Sequence, residues 1–357
     1  MGQTIRYEVK RDVLLWAIKE SQKSINDIEL KFSKINEWIN GDSAPTMKQI
    51  ESLANFLKIP FGYMFLATPP KTNVMKVEFR SIDNKLPEVS KNLKDTLLEM
   101  DRNQSWMSEL RQELGWDKLD IIKNFDIKVN DKATNVEVAK LAKKLLGLEE
   151  EWYLNHSTNE KAYNYLREKL EDAGILVMQN GVVGFDTHRK LELNEFRAFM
   201  LYDDYAPLIF VNGTDSTAGK IFSLMHEFVH ILYQQDDIIS ESSRVEIKAN
   251  ERKINQIASE VLIPQEVIKA KWIELENKEE LARIDTISKM LKVSSYAVAV
   301  KLSEMRMIAD NIVAVIASRS QNIRRSTSGG DFYKNYYAKM SSNFLKSVVS
   351  QTESGNL

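Results

Sequence analysis

Two histidines and a glutamate at fixed spacing are the residues of this sequence best suited to chemistry. His226, Glu227 and His230 lie in the run IFSLMHEFVHILY, whose apolar residues recur at the spacing of a buried helix. Residues i and i+4 share a helix face, so both imidazoles can ligate one Zn²⁺ at about 2.0–2.1 Å. A glutamate beside that ion can act as a general base on a bound water. The pattern HExxH therefore predicts a zinc hydrolase.

A catalytic zinc site also needs a third protein ligand and an open fourth position. A second helical pattern downstream offers Glu246, Glu251 and Glu260, and spacing alone cannot choose among them. Mn²⁺ could occupy such a site too, because affinity and cellular availability together decide occupancy. In a purely structural zinc site, which is a further alternative, His188 or an acid would have to supply the fourth ligand, since the chain has no cysteine.

The other candidate side chains receive no catalytic role from the sequence. His156, in the polar stretch YLNHSTNE, is interpreted as a surface residue, and His188 in FDTHRK remains unplaced. Tyr202, Tyr205 and Tyr233 could stabilise an oxyanion, but half-buried tyrosines commonly serve in packing.

Helical and strand patterns divide the chain into four parts. We expect a small helical bundle over 1–70, a helical connector over 71–132, a mixed α/β domain over 133–315, and a linker with one C-terminal helix over 316–357. Strands are expected at GILVMQ, FRAFMLY and APLIFVN, before the HExxH helix. IDTISKMLKV and SSYAVAVKLSEM have the outline of a helix-turn-helix pair. The predicted fold class is α+β and mostly helical.

Composition excludes several classes of protein. The net charge is -2, so no global positive field draws the chain to DNA or to anionic lipid. The absence of cysteine removes disulfides, thiolate zinc fingers and cysteine nucleophiles. No apolar run approaches the ~18 residues of a membrane span, and the first residues lack the apolar core of a signal peptide. We therefore expect a cytoplasmic protein without membrane partners.

The segments AGKIFSLMHEFVH and ERKINQIASEVLIP together resemble the ImmA/IrrE family of zinc metallopeptidases. In that family the first helix reads approximately FTLAHELGH and the later one ExxANxFAxxLLMP. The matching positions are Phe222, Glu251, Asn255, Ile257-Ala258 and Leu262-Ile263-Pro264, and the departures are Met225, Val229 and Ile254. The resemblance spans about residues 135–310. It implies a zincin-like domain with a small sheet packed on the HExxH helix, His226, His230 and Glu251 as metal ligands, and Glu227 as base.

Residues 1–70 resemble the XRE-type helix-turn-helix domain that often precedes this peptidase. The resemblance rests on Leu14, Trp16-Ala17, Ser21, Trp38, Gly41, Pro45-Thr46, Gln49, Leu53-Ala54, Leu57 and Pro60. It implies a second helix that would lie in the major groove of DNA, and Lys31, Lys34 and Asn36 could form a small DNA-contacting patch. However, the FSKINEW segment is shorter than the usual turn and recognition helix of this domain type. Residues 1–70 also contain nine basic and eight acidic residues, whereas a DNA-binding domain usually has a clear basic face. DNA binding and a protein-docking or dimerising role, including a homodimer, both remain open.

Taken together, the resemblance implies a zinc endopeptidase that cleaves a partner protein, namely a co-encoded transcriptional repressor. The N-terminal module would bring the peptidase to its substrate or to a promoter. The alternative is a DNA-binding regulator, antitoxin-like or defence-associated, whose peptidase-like domain senses a signal without cleaving. An intact set of His226, Glu227, His230 and Glu251 favours the enzyme, because a pure scaffold needs no base.

Overall fold

The structure is a computed structural model that describes residues 5–70, 89–234, 244–321 and 339–355. The chain divides into two compact units, one comprising Met1–Met75 with Pro87–Asp95 and the other Lys76–Leu86 with Thr96–Leu357. This division falls inside the segment over which the sequence predicts a helical connector.

Short helices build the first unit around one apolar core. They are α1 (Arg11–Ser21), α2 (Ile25–Lys31), α3 (Ile35–Asn40) and α4 (Met47–Leu57), followed by a 3₁₀ turn over Phe61–Phe65. Gly41 ends α3 with φ of 82°, a left-handed conformation that glycine adopts without a steric penalty. Thr46 and Gln49 form a reciprocal capping box that starts α4. This gives a structural reason for the presence of both residues in the XRE-type pattern. Trp38 is buried and Trp16 half-buried, so Trp38 is a core residue.

A group of helices precedes the sheet of the second unit. These are α5 (Lys91–Glu113), which begins in the first unit, then α6 (Asp120–Lys123), α7 (Ile127–Asn130), α8 (Asn135–Leu145), a 3₁₀ turn over Trp152–Asn155, and α9 (Asn159–Asp172). A capping box between Thr134 and Glu137 starts α8, and the hydroxyl of Thr158 caps α9. These side chains accept hydrogen bonds from backbone N–H groups that have no partner within the helix.

The main sheet has three strands in the order β1–β5–β4. β1 (Leu176–Asn180) runs parallel to β5 (Leu208–Asn212), and the edge strand β4 (Ala198–Leu201) runs antiparallel to β5. All residues of β4 and β5 are buried, as expected for strands covered on both faces. The three predicted strands are therefore confirmed. A two-stranded ribbon of β2 (Val182–Val183) and β3 (Asp186–Lys190) lies outside the predicted strands.

Helices again follow the sheet. They are α10 (Thr217–Leu232), α11 (Arg244–Leu262), α12 (Gln265–Glu274), α13 (Glu280–Leu291), α14 (Ser295–Glu304), α15 (Asp310–Gln321) and α16 (Ser342–Glu353). α10 packs on β4, β5, α9 and α11. Pro264 precedes α12, in keeping with the predicted end of α11.

The C-terminal region differs from the expected linker and single helix. α15 continues to Gln321, so the first residues of the predicted linker are helical, while residues 322–338 lie outside the described part of the chain. The sequence DFYKNYYAKMSSNFLKSVVSQ is predicted to form one helix, and this prediction is wrong at Met340 and Ser341, which are not helical. The hydroxyl of Ser341 accepts from Phe344 N and starts α16, and the guanidinium of Arg167 donates to the Met340 carbonyl. These contacts hold Met340 and Ser341 in place before α16 starts.

The predicted fold class, α+β and mostly helical with a small sheet packed on the HExxH helix, is confirmed. Of the helices that the structure describes, none is long and apolar enough to cross a membrane.

Candidate metal centre

The HExxH segment occupies the second half of α10, where every residue from Ser223 to Leu232 is buried. The hydroxyl of Ser216 caps the helix by accepting from Gly219 N. Four residues separate the end of β5 from Thr217, so the sheet directly determines where the helix starts. Because α10 packs on the sheet and on two helices, His226 and His230 project from a rigid element.

A close approach at the start of α10 escapes sequence reasoning. The buried carboxylate of Asp215 accepts from Arg197 Nη1 at 2.7 Å and from Ser216 N at 2.6 Å. A Cβ at Gly219 would lie 2.5 Å from Asp215 Oδ2, so only glycine leaves room for that carboxylate. A glycine inside an apolar helical pattern is the signal that could have indicated this contact, because its cost in helix stability needs a packing reason.

The third candidate ligand comes from α11, which packs on both α10 and α8. Glu251 Oε1 lies 3.1 Å from His230 Nε2, and Glu251 Oε2 lies 3.6 Å from His226 Nε2. The two histidine Nε2 atoms are 3.0 Å apart. The histidine side chains are 3% and 8% exposed and that of Glu251 is 34% exposed, so the cluster opens on the glutamate side.

The donor set fits a divalent metal ion. We compared groups of at least three histidine, cysteine, aspartate or glutamate residues whose ligand atoms all lie within 4.8 Å of one another. In the described part of the chain, the one such group is His226, His230 and Glu251. Ligands at 2.0–2.1 Å around a tetrahedral zinc ion are separated by roughly 3.3 Å, close to the observed distances. Two neutral imidazoles and one carboxylate are a donor set typical of catalytic zinc. An ion would balance the charge of the Glu251 carboxylate.

The candidate base lies on the same helix as the two histidines. Glu227 follows His226 directly on α10 and is only 7% exposed. A carboxylate this deeply buried costs free energy unless nearby groups stabilise it, which a cation in the adjacent cluster would do.

The other two acids considered as the third ligand are Glu246 and Glu260. Glu260 is held elsewhere, because Oε2 binds Lys301 Nζ at 2.5 Å and Oε1 accepts from Gln265 N at 3.0 Å. Glu246 lies on α11 among residues whose side chains are outside the described set. Of the two acids whose side chains the structure describes, Glu251 is the one whose carboxylate lies against the histidines.

The remaining histidines and tyrosines lie outside the cluster. His188 is exposed on β3. His156 is half-buried, with its ring 4.6 Å from that of Tyr165, so its interpretation as a surface residue is wrong. Burial lowers the pKa of His156, and Lys292 and Lys161 add to the shift. The packing partner, Tyr165, lies on the following helix α9, and the spacing of the residues around His156 did not indicate this contact.

The tyrosines considered as oxyanion donors make other contacts. Tyr202 donates its hydroxyl hydrogen to Asp204 at 2.7 Å, and Tyr233 donates to the carbonyl of Asn130 at 3.4 Å. Burial raises the pKa of Tyr233, although Lys253 acts in the opposite direction, so its hydroxyl keeps its proton at neutral pH. The backbone carbonyl of Tyr205 accepts from Arg111.

The candidate DNA-contacting residues of the first unit lie on or beside α2 and α3. Lys34 Nζ is 3.7 Å from Glu37, and the amide of Asn36 donates to Glu29 at 2.8 Å. Lys31 Nζ lies 4.4 Å from the centre of the Phe56 ring. Acidic neighbours therefore offset two of the three side chains, which weakens a phosphate-binding role.

The fold and cluster have the features of a metal-dependent hydrolase, with a helix carrying HExxH behind a small sheet. Comparison with family models agrees, because residues 170–303 match Peptidase_M78, the IrrE N-terminal-like domain. The match covers less than half of the chain, starts within α9 and ends within α14, and does not include the first unit. It supports a metallopeptidase-type hydrolase that carries a metal ion. Comparisons with curated proteins and with solved structures give no match.

Proposed function

We propose that this protein is a zinc-dependent endopeptidase in which His226, His230 and Glu251 hold the metal and Glu227 is the general base. The observation that carries the proposal is the convergence of three donor atoms from two helices within a region similar to Peptidase_M78. Zinc bound there would polarise the scissile carbonyl and lower the pKa of a water molecule. Mn²⁺ is the alternative ion for this donor set.

The chain's own residues supply the remaining chemistry. A carboxylate oxygen of Glu227 accepts the proton of the attacking water and returns it to the leaving amine. The buried surroundings of α10 exclude other water from the reaction. The open side of the cluster, at the 34% exposed Glu251, is where the substrate peptide enters.

The substrate that we propose is a partner transcriptional regulator encoded beside this protein. The first unit then serves in docking, and a protein partner is favoured over DNA because Glu37 and Glu29 engage Lys34 and Asn36. The protein acts in the cytoplasm, where such regulators reside.

The test compares wild type with Glu227→Gln, incubated with the co-encoded regulator. Glu227→Gln should retain one metal ion per chain and its helical circular dichroism but lose cleavage, with a fall of at least about 100-fold expected for removing a general base. Glu266→Gln, an exposed position on α12, is the matched control and should cleave like wild type. Cleavage unchanged by Glu227→Gln would contradict the mechanism.

A regulator that senses a signal without cleaving is the competing function. It would be favoured by promoter binding that depends on Lys31 and Lys34 and persists in Glu227→Gln. Fluorescence anisotropy with promoter DNA measures this, and the absence of such binding supports protein docking by the first unit.

A further inference from the structure

A second contact joins the two helices that carry the proposed metal ligands. Tyr233 follows His230 by three residues on the chain, and Lys253 follows Glu251 by two. The ammonium group of Lys253 lies 4.9 Å from the centre of the Tyr233 ring. At this distance the cation is attracted by the ring quadrupole, so α10 and α11 are attached here as well as at the cluster.

Both side chains also reach the C-terminal end of α7. Lys253 Nζ binds Asp131 Oδ1 at 3.0 Å, and the hydroxyl of Tyr233 donates to the Asn130 carbonyl at 3.4 Å. The ring of Phe125 packs edge-on against Tyr233 with ring centres 5.2 Å apart. We call Asn130, Asp131, Tyr233 and Lys253 the α7 clamp, because the end of α7 contacts both ligand-bearing helices through them.

The placement of Glu251 depends on this attachment. His226 and His230 share one buried helix, so their separation follows from helix geometry alone. Glu251 comes from another helix and is 34% exposed, so packing around its side chain constrains it less. Its distance to the histidines therefore depends on how α11 lies against α10.

We propose that Lys253 and Tyr233 are positioning residues of the metal centre, which hold Glu251 in ligand geometry through the α7 clamp. This inference rests on the proposed function, since it assumes that Glu251 binds the metal. Neither residue touches the ion or the substrate. Their effect is on the relative placement of two helices, and it should appear in metal affinity and in coordination geometry.

The experiment titrates the metal-free protein with Co²⁺ and records its visible absorption spectrum, followed by competition with Zn²⁺. We expect Lys253→Met to weaken Co²⁺ binding about 10-fold, since the loss of a residue that orients a metal ligand typically lowers metal affinity by at least that factor. The ligand-field bands in the Co²⁺ spectrum should also change. Lys253→Arg should restore most of the affinity, because it keeps the charge. Tyr233→Phe should show a smaller loss. Lys248→Met, at an exposed lysine of the same helix, is the matched control.

The outcomes separate this inference from the proposed function. If wild type binds no Co²⁺, or His230→Ala binds it equally well, both proposals are contradicted. If wild type binds and Lys253→Met matches Lys248→Met in affinity and spectrum, the clamp has no positioning role while the metal site stands. Should Lys253→Met fail to fold, Asp131→Asn breaks the same ion pair from a side chain that is 59% exposed. Wild-type affinity and spectrum in that variant would also overturn the inference.

Discussion

Glu260 Oε2 lies 2.5 Å from Lys301 Nζ, and both side chains are almost completely buried. This pair joins α11 to α14 and commits one of the three acids that the sequence offers as a metal ligand to a structural role. The other carboxylate oxygen of Glu260 accepts from Gln265 N at the start of α12. Glu260 therefore organises the helices behind the cluster.

Removing one partner of this pair should destabilise the protein. Lys301→Met leaves the Glu260 carboxylate buried without its cation, and we expect a loss of about 3–5 kcal/mol in the free energy of unfolding. Urea denaturation followed by circular dichroism measures it. The double variant Glu260→Gln/Lys301→Met should recover part of the loss, because no charge then remains buried. A Lys301→Met variant as stable as wild type would contradict the role of the pair.

Metal content should depend on the three proposed ligands and not on Glu260. We expect about one zinc ion per wild-type chain and loss of binding in His226→Ala and Glu251→Ala, measured by elemental mass spectrometry on tag-free protein. Glu260→Gln keeps the shape of the side chain and should retain the metal. Retention by Glu251→Ala with loss in Glu246→Ala would transfer the third position to Glu246.

Gly219→Ala should lower stability despite the better helix propensity of alanine. The added methyl group would lie 2.5 Å from Asp215 Oδ2, and Asp215 is held by Arg197 and Ser216 N. The clash should outweigh the ~1 kcal/mol gained in propensity and leave a net loss of about 1–2 kcal/mol. Thermal and urea unfolding measure the change. Ala218→Gly, at the preceding position, is a control for propensity alone, and a stabilised Gly219→Ala would show that Asp215 moves freely.

The stability of the second unit should decrease in mild acid partly through His156. Burial keeps the folded-state pKa of His156 below its ordinary value of 6.5. As the pH falls below 6.5, the unfolded chain binds a proton that the folded chain resists, so unfolding is favoured down to the folded-state pKa. His156→Phe keeps a ring against Tyr165. Its melting temperature should fall less than that of wild type when the pH is lowered from 7.5 to 5.5. Equal losses in wild type and variant would exclude this contribution, and His188→Phe is the control.

Glu171→Ala should release the C-terminal helix from the second unit. The Glu171 carboxylate accepts from the hydroxyls of Ser341 and Ser342 and from Asn343 N. Hydrogen bonds to a charged group contribute roughly 1.5–3 kcal/mol each, so the anchor of α16 would be largely lost. Hydrogen exchange in Ser342–Glu353 should accelerate by at least about 10-fold while that of α10 stays slow. Unchanged protection would show that the Trp106–Phe344 ring contact, with centres 5.3 Å apart, suffices.

Local spacing was enough to predict which helix carries the candidate site. The i and i+4 histidines lie on one face of any α-helix, and the surrounding apolar residues indicate that this helix is buried. The strands before it were predictable for a similar reason, since runs such as PLIFVN have the composition of buried strands. The order β1–β5–β4 was not predicted, because strand pairing depends on contacts between distant residues.

What tertiary structure alone decided are the partners of buried polar groups. The cation that pairs with Glu260 lies 41 residues away along the chain, and the carboxylate that accepts from the Ser341 hydroxyl lies 170 residues away. The sequence identifies acids, hydroxyls and rings, but a buried polar group takes whichever partner the fold brings within about 3 Å. For this reason HExxH was readable from local spacing, whereas the ion pair of Glu260 was decided only when α11 packed against α14.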